Sequence, residues 1–318
     1  MKIVVLDGYH LNPGDLDWSE LKKLGEVKLY VSTPEHLITE RASEADIIIT
    51  NKVPFNKDQI NELPNLKCIC VSATGYNIID TDAAKSAGIV VCNAPNYSTE
   101  SVAQHVFASI FAIYNRIESY SREVRGGVWA EKKDWSYTNE PVTNVYQKTL
   151  GIIGFGQIGQ KVNDIAQALG MKVISYHRHP KRDARKGVGF VDLETLFRES
   201  DVITLHVPLN DSTHYIVNRE SLSLMKSNAI LINTGRGPLV DEVALAETLK
   251  GNGIRAAGLD VLINEPPEKI NPLYDCDNCY ITPHIAWAGV VAREKLMAIL
   301  VDNIKSFQGG SPINVVNN

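Results

Sequence analysis

The chain has 318 residues, 44% of them hydrophobic, and a formal charge of -5 at pH 7. That length exceeds the usual size of one compact core and predicts two domains. Lys and Arg are dispersed among Asp and Glu, so there is no basic stripe for nucleic acid and no polybasic segment for an anionic membrane, and the expected partners are small molecules.

The opening MKIVVLDG has no basic region or small-residue cleavage site of a signal peptide, and no run reaches membrane-spanning length. Cys68, Cys70 and Cys92 stand inside strand-like apolar runs, where a free thiol serves as a small hydrophobe. Together these predict a reducing cytoplasm. Cys276 and Cys279 have CxxC spacing, but no second pair accompanies them, so no metal is expected.

In chain order, KIVVLD, VKLYV, ADIIIT, LKCICVSA and GIVVCN are short β-branched runs separated by helical patterns. Unbroken apolar strands of this kind predict a parallel sheet covered on both faces, ending near Pro95. From Ser98 to Ile117 the apolar spacing predicts a long, mostly buried helix, with Ser98 or Thr99 as its cap. The next segment, SREVRGGVWAEKKDWSYTNEPVTNVYQK, loses periodicity yet presents Trp129, Trp135, Tyr137 and Tyr146. It reads either as a loop folded on its own domain or as an arm packed on a second subunit. A second α/β series starts at Thr149 with LGIIGFG, MKVISYH, DVITLHVPL, NAILINTG, AAGLDVL and CYITPHIA. A helical pattern from Val290 to Phe307 follows, leaving SPINVVNN as a tail. Because the glycine signature is internal, the expected organisation is a nucleotide domain, residues 99–288, inserted between residues 1–98 and 289–318 of the other domain. Both are expected to be doubly wound parallel α/β sheets.

The run Gly154-Phe155-Gly156-Gln157-Ile158-Gly159 lies between a strand and a helix, with a second strand, MKVISY, at the distance a dinucleotide fold requires. In such a turn the first glycine permits the tight bend, the second lets backbone approach a pyrophosphate, and the third lets helix and strand pack closely. The pyrophosphate would sit at the helix N-terminus. The end of the second strand carries no acidic residue for the ribose hydroxyls; His177 and Arg178 stand there. Arg178, helped by Lys181 or Arg182, could pair with a 2'-phosphate, which favours NADP(H) over NAD(H). The other reading is a solvated basic loop, with the ribose held by backbone groups.

Three more stretches end strands of the second series: Thr234 to Gly237, Asp260 to Pro266, and Thr282 to His284. In an open parallel sheet, ligands bind beyond the carboxyl ends of the strands. Reduction of a 2-keto acid needs a guanidinium for the carboxylate and an acid for the developing alkoxide, and Arg236 and His284 supply these. Glu265 is the candidate carboxylate to hold the His284 ring and favour its protonated form.

These motifs, together with VSATGYNIIDTDAAKSAGIVVCNAPNYSTESVAQHVFA, HVPLNDSTHYIVN, LINTGRGPLVDEVAL and AAGLDVLINEPP, resemble those of the D-isomer-specific 2-hydroxyacid dehydrogenases along essentially the whole chain. The resemblance implies a Rossmann domain inserted into a flavodoxin-like substrate domain, and a homodimer formed through the nucleotide domain. It implies that Arg236 binds the substrate carboxylate and carbonyl, that His284 is the proton donor and acceptor, and that Glu265 is its partner. His206, Val207, Pro208, Thr213 and Thr234 would lie along the cofactor, with Asp260 near the nicotinamide carboxamide. Lys52 and backbone groups of Ala73, Thr74 and Gly75 would meet the substrate, and Ser101, Val102 and Gln104 would lie on a hinge helix. Within the family, VCNAPNYSTESVAQH and HIAWA look most like the D-glycerate dehydrogenases, or hydroxypyruvate reductases. Trp287 would then wall a pocket for hydroxypyruvate or glyoxylate, with Asn51 and Tyr76 as further specificity candidates. His177 departs from the family's usual acidic residue, which puts NAD in doubt. Phosphoglycerate and D-lactate dehydrogenases resemble the chain less well, and a corepressor-like NAD(P) sensor on the same fold is the reading from another class.

Overall fold

The computed structural model describes residues 1–139 and 141–317. Glu140, in the expected arm, and Asn318, in the expected tail, lie outside the described residues. The chain divides into two compact units, Met1–Ser98 with Ala288–Asn318, and Thr99–Trp287.

In the first unit, β1 (Lys2–Val5), β2 (Glu26–Leu29), β3 (Ile47–Thr50), β4 (Cys68–Val71) and β5 (Val90–Cys92) form one parallel sheet in the order β2-β1-β3-β4-β5, the flavodoxin-like winding. Every residue of β3 and β4 is buried, as a sheet covered on both faces demands. The closing helix Val290–Gln308 packs on β4, and its Asn303 amide donates to the Asn93 carbonyl at 2.9 Å. The final residues are pinned, not loose: Val316 N–H donates to Val91 O, while the Asn317 side chain accepts from Val91 N–H and donates to Ile89 O. The edge of β5 has donors and acceptors to satisfy, and the alternating INVV run meets them.

In the second unit, β6 (Thr149–Ile153), β7 (Lys172–Tyr176), β8 (Val188–Phe190), β9 (Val202–Leu205), β10 (Ile230–Asn233), β11 (Ala256–Leu259) and β12 (Cys279–Ile281) form a parallel sheet in the order β12-β11-β10-β9-β6-β7-β8. Counted from β6, this is the Rossmann order 3-2-1-4-5-6 with one more strand at the edge. Strand periodicity divides the core between two faces. Ile230 and Ile232 join Phe107, Ile110 and Ile113 of the helix Thr99–Asn115. Leu231 joins Leu245 and Leu249 of the helix Glu242–Lys250. Each such buried side chain contributes about 1.5–3 kcal/mol.

Two elements differ from expectation. SREVR is not irregular: a helix spans Ile117–Arg125, set off from the long helix by Arg116 in left-handed backbone (φ 49°) and carrying a Glu118–Arg122 ion pair at 2.8 Å. It buries no side chain, so its periodicity has no core against which to register. Strand β8, with glycine at its centre, is too short to show an apolar run.

Candidate active site

The register of the larger sheet aligns the ends of its strands: Ile153 pairs with Tyr176 and Leu205, Leu205 with Asn233, Asn233 with Leu259, and Leu259 with Ile281. The next residues, Gly154, His177, His206, Thr234, Asp260 and Thr282, therefore form one layer across the carboxyl edge. The strand order reverses between β6 and β9, and there the glycine turn meets His206.

The three glycines have three different reasons to be there. Gly154 has φ 97°, and a Cβ on it would come within 2.5 Å of the His206 carbonyl oxygen. A Cβ on Gly159 would overlap the Gly154 carbonyl oxygen, so the helix Gln157–Ala168 packs directly on the turn. Gly156, the N-cap of that helix, has an ordinary φ of -74° and no protein atom within 4 Å of a would-be Cβ. The protein's own packing does not require a glycine there. Phe155 is fully buried, Gln157 is exposed and Ile158 half-buried, so the helix start turns its polar side outward. His206 Nε2 and Thr234 Oγ1 are buried without a hydrogen-bond partner among the described residues, and burial pushes the His206 imidazole down to about 3. A bare glycine at a helix N-terminus and orphaned polar atoms in the same layer fit a bound dinucleotide. Val207 and Pro208 continue from His206, and the Thr213 hydroxyl holds their loop by donating to Pro208 O at 2.7 Å.

At the end of β7, His177 Nδ1 accepts from Phe155 N–H at 3.1 Å, so the ring proton sits on Nε2 and is donated to Asp183 at 2.6 Å. The loop thus brings an acidic side chain back to the strand end, where the sequence has none in register. Asp183 also takes the Arg182 guanidinium, and Arg182 first, then His177, holds its carboxyl down at about 2. Arg185 is tied to Asp164 and Gln160. Of the basic run, Arg178, Lys181 and Lys186 are exposed and make no side-chain hydrogen bond or ion pair among the described residues.

At the other end of the layer, Glu265 Oε2 lies 2.6 Å from His284 Nδ1, and Glu265 Oε1 accepts from Leu262 N–H at 3.2 Å. A carboxylate only accepts, so Nδ1 carries the proton in this pair and Nε2 is the nitrogen left for exchange. His284 itself is in left-handed backbone, φ 54°. Arg236 follows β10; its guanidinium is exposed and spends one donor on Gly235 O at 2.8 Å. Asn233 shapes that loop by accepting from Gly235 N–H and donating to Arg236 O. Asp260, expected beside the cofactor, is 2% exposed, and both its oxygens are engaged by Thr282, Ile285 and Ala286. Trp287 is half-buried at the end of this unit.

In the first unit, Lys52 follows β3, and its N–H is held by the buried Asp7 carboxylate at 2.6 Å, which also accepts from Asn51 N–H. Ala73, Thr74 and Gly75 follow β4; the Thr74 hydroxyl donates to Ala94 O at 2.9 Å, and Ala73 O accepts from Ala94 N–H. Tyr76 is exposed. Asp7 escapes sequence reading because its partners stand more than forty positions away.

A glycine turn at the switch point of a Rossmann sheet, with a histidine–carboxylate pair on the loops that leave the same carboxyl edge, marks a nicotinamide-dependent oxidoreductase. The chain belongs to the D-isomer specific 2-hydroxyacid dehydrogenases, whose NAD binding domain matches residues 107–286. It is 44% identical to a hydroxypyruvate reductase of Blautia hydrogenotrophica over 100% of both chains. It is also 44% identical to a glycerate dehydrogenase of Methylorubrum extorquens, over 99% of this chain and 98% of that one. Among solved structures, an acyclic imino acid reductase in complex with NADPH and D-Arg superposes with a TM-score of 0.87 at 38% identity, covering 99% of this chain and 100% of that one.

Proposed function

We propose that the protein reduces a small 2-keto acid, hydroxypyruvate or glyoxylate, to the D-2-hydroxy acid, with NADPH preferred over NADH. The observation that carries the reading is the His284–Glu265 pair at 2.6 Å, on the loops that leave the same carboxyl edge as the glycine turn. The nicotinamide, when bound, supplies the hydride. Gly154, Gly156 and Gly159 shape the turn that receives the pyrophosphate, with His206, Thr234 and the 207–213 loop beside it. Arg236, with one of its five N–H groups spent on Gly235, offers the rest to the substrate carboxylate and carbonyl. Glu265 fixes the His284 ring through Nδ1, so that Nε2–H delivers the proton to the carbonyl oxygen and recovers it in the reverse direction. Both electrons come as hydride and the proton from His284, so the keto group becomes a hydroxyl without further reagent.

NADPH preference rests on Arg178 and Lys181, cations of the basic run that make no side-chain hydrogen bond or ion pair among the described residues; Asp183 already occupies His177 and Arg182. The NADPH held by the imino acid reductase relative is in keeping with this. We further propose a homodimer that covers the arm's aromatic side chains, since Trp135 is 87% exposed in the single chain. All five cysteines are free, which fits a reducing cytoplasm, and no helix is long and apolar enough to cross a membrane among the described residues.

The test is steady-state oxidation of NADPH and NADH with hydroxypyruvate, glyoxylate, pyruvate and 3-phosphohydroxypyruvate, repeated for His284→Ala and Arg178→Ser. Turnover by His284→Ala equal to wild type would sink the mechanism, and an unchanged NADPH/NADH ratio in Arg178→Ser would sink the cofactor reading. Sedimentation as a monomer at micromolar concentration would remove the dimer.

A further inference from the structure

The N–H groups of the turn that carries His284 converge on one residue, Asp260. Three in succession end there: His284 N–H on the carbonyl at 2.8 Å, Ile285 N–H on Oδ1 at 2.9 Å and Ala286 N–H on Oδ2 at 2.7 Å. The Thr282 hydroxyl adds a fourth bond, to Oδ1 at 2.6 Å. A non-glycine residue in left-handed backbone is strained by about 1–2 kcal/mol, so the surroundings must hold it there.

The helix Thr99–Asn115 closes on the same turn from the other side. Ser101 Oγ donates to Ala286 O at 2.7 Å, and one helical turn later His105 Nε2 lies 3.1 Å from Thr282 Oγ1 and 3.6 Å from Asp260 Oδ1. The direction of the bond follows from donor counting. A hydroxyl has one proton, and the short contact to the Asp260 carboxylate claims it, so Thr282 can only accept from His105. His105 therefore carries its proton on Nε2, and the chain runs His105 to Thr282 to Asp260, each group donating to the next.

We propose that His105 is a positioning residue for the catalytic turn, acting through Thr282 and Asp260 to set the orientation of His284. The inference deepens the reading above and rests on His284 being the proton donor. With His105 in place, the Thr282 proton is directed at Asp260, which leaves the carboxylate oriented to accept from Ile285 and Ala286. Without it, the Thr282–Asp260 bond loses the donor that polarises it and weakens, so the His284 backbone relaxes out of its left-handed state for part of the time.

The test combines hydrogen exchange, followed by mass spectrometry on the full chain, with kinetics for His105→Leu, His105→Gln and Thr282→Val. Loss of one such bond is expected to speed exchange in residues 284–286 by about fivefold in His105→Leu and to lower kcat by a similar factor, with KM and cofactor affinity little changed. Gln carries an N–H donor on a side chain of comparable reach, so His105→Gln should recover most of both. Thr282→Val, nearly isosteric with the native residue, should reproduce the loss and guards against simple misfolding of the leucine variant. Unchanged exchange at 284–286 in both His105→Leu and Thr282→Val overturns the proposal, as does exchange that rises evenly through the domain. Full turnover by His284→Ala would defeat the catalytic reading instead, and the exchange data would still decide whether the relay holds the turn.

Discussion

Two alanine substitutions in the glycine turn should have opposite consequences. A methyl on Gly156 meets no protein atom within 4 Å, and its φ of -74° suits any residue. The stability of the free protein should move by less than about 0.5 kcal/mol, because lost N-cap preference and reduced unfolded-state entropy offset each other. The methyl nevertheless stands where a pyrophosphate must approach backbone, and forcing the ligand aside by one methyl costs roughly 1–3 kcal/mol, about fivefold to a hundredfold in cofactor affinity. On Gly159 the same methyl would overlap the Gly154 carbonyl oxygen, a backbone atom that cannot swing away. That substitution should lower the stability of the free protein by about 1–3 kcal/mol or more. Urea melts without cofactor and fluorescence titration with NADPH separate the two effects. A Gly156→Ala protein that melts early yet binds cofactor like wild type would refute the assignment of Gly156 to the ligand.

Replacing Glu265 by Gln keeps a hydrogen-bond acceptor near His284 but removes its charge, and kcat/KM should fall roughly a hundredfold while the cofactor Kd holds; stopped assays against fluorescence titration check the split. His206, pushed down to about 3 by burial, takes up a proton in the unfolded chain first, so stability present above about pH 6.5 is lost as pH falls toward 3. By pH 5 this amounts to ~2 kcal/mol for the cofactor-free protein, and His206→Asn should flatten that part of the pH–stability curve measured by urea melts. Removing residues 311–318 exposes the β5 edge that Val316 and Asn317 now satisfy, and should cost about 2–4 kcal/mol at roughly 1 kcal/mol per lost bond, with increased aggregation visible by light scattering.

Strand cores and strand ends were the legible parts. Runs such as ADIIIT and NAILINTG declare buried parallel strands because both faces are covered, and a residue directly after such a strand lies at the carboxyl edge. Arg236, Glu265 and His284, a few residues past such strands, could be named by joining that position to the guanidinium, acid and carboxylate that keto-acid reduction requires. Bonds made by a return of the chain were not legible: Asp183 reaches His177 from six positions on, through a loop whose path no periodicity records. The helix Ile117–Arg125, the strand β8 and the paired tail were missed for a related reason. Each is short or exposed: the helix sets only Ile117, Tyr120 and Val124 at helical spacing and buries none of them, and β8 has three residues.

The same distinction explains why chemistry and its support read so differently. Residues that meet a ligand must stand at the sheet edge, where position in sequence and position in space coincide. The groups that orient them act through bonds set by register. Asp260 is a single position after β11, yet it governs the backbone after β12 only because Leu259 pairs with Ile281. His105 sits inside an apolar helix, where a lone histidine invites no functional reading, and it gains a partner only when that helix packs against the strands that end at Asp260 and Thr282. A substitution of a ligand-facing residue should therefore change what the site does, whereas one of a supporting residue should change how much of the time the site is in order. Turnover measured alongside exchange at the turn distinguishes the two kinds of loss.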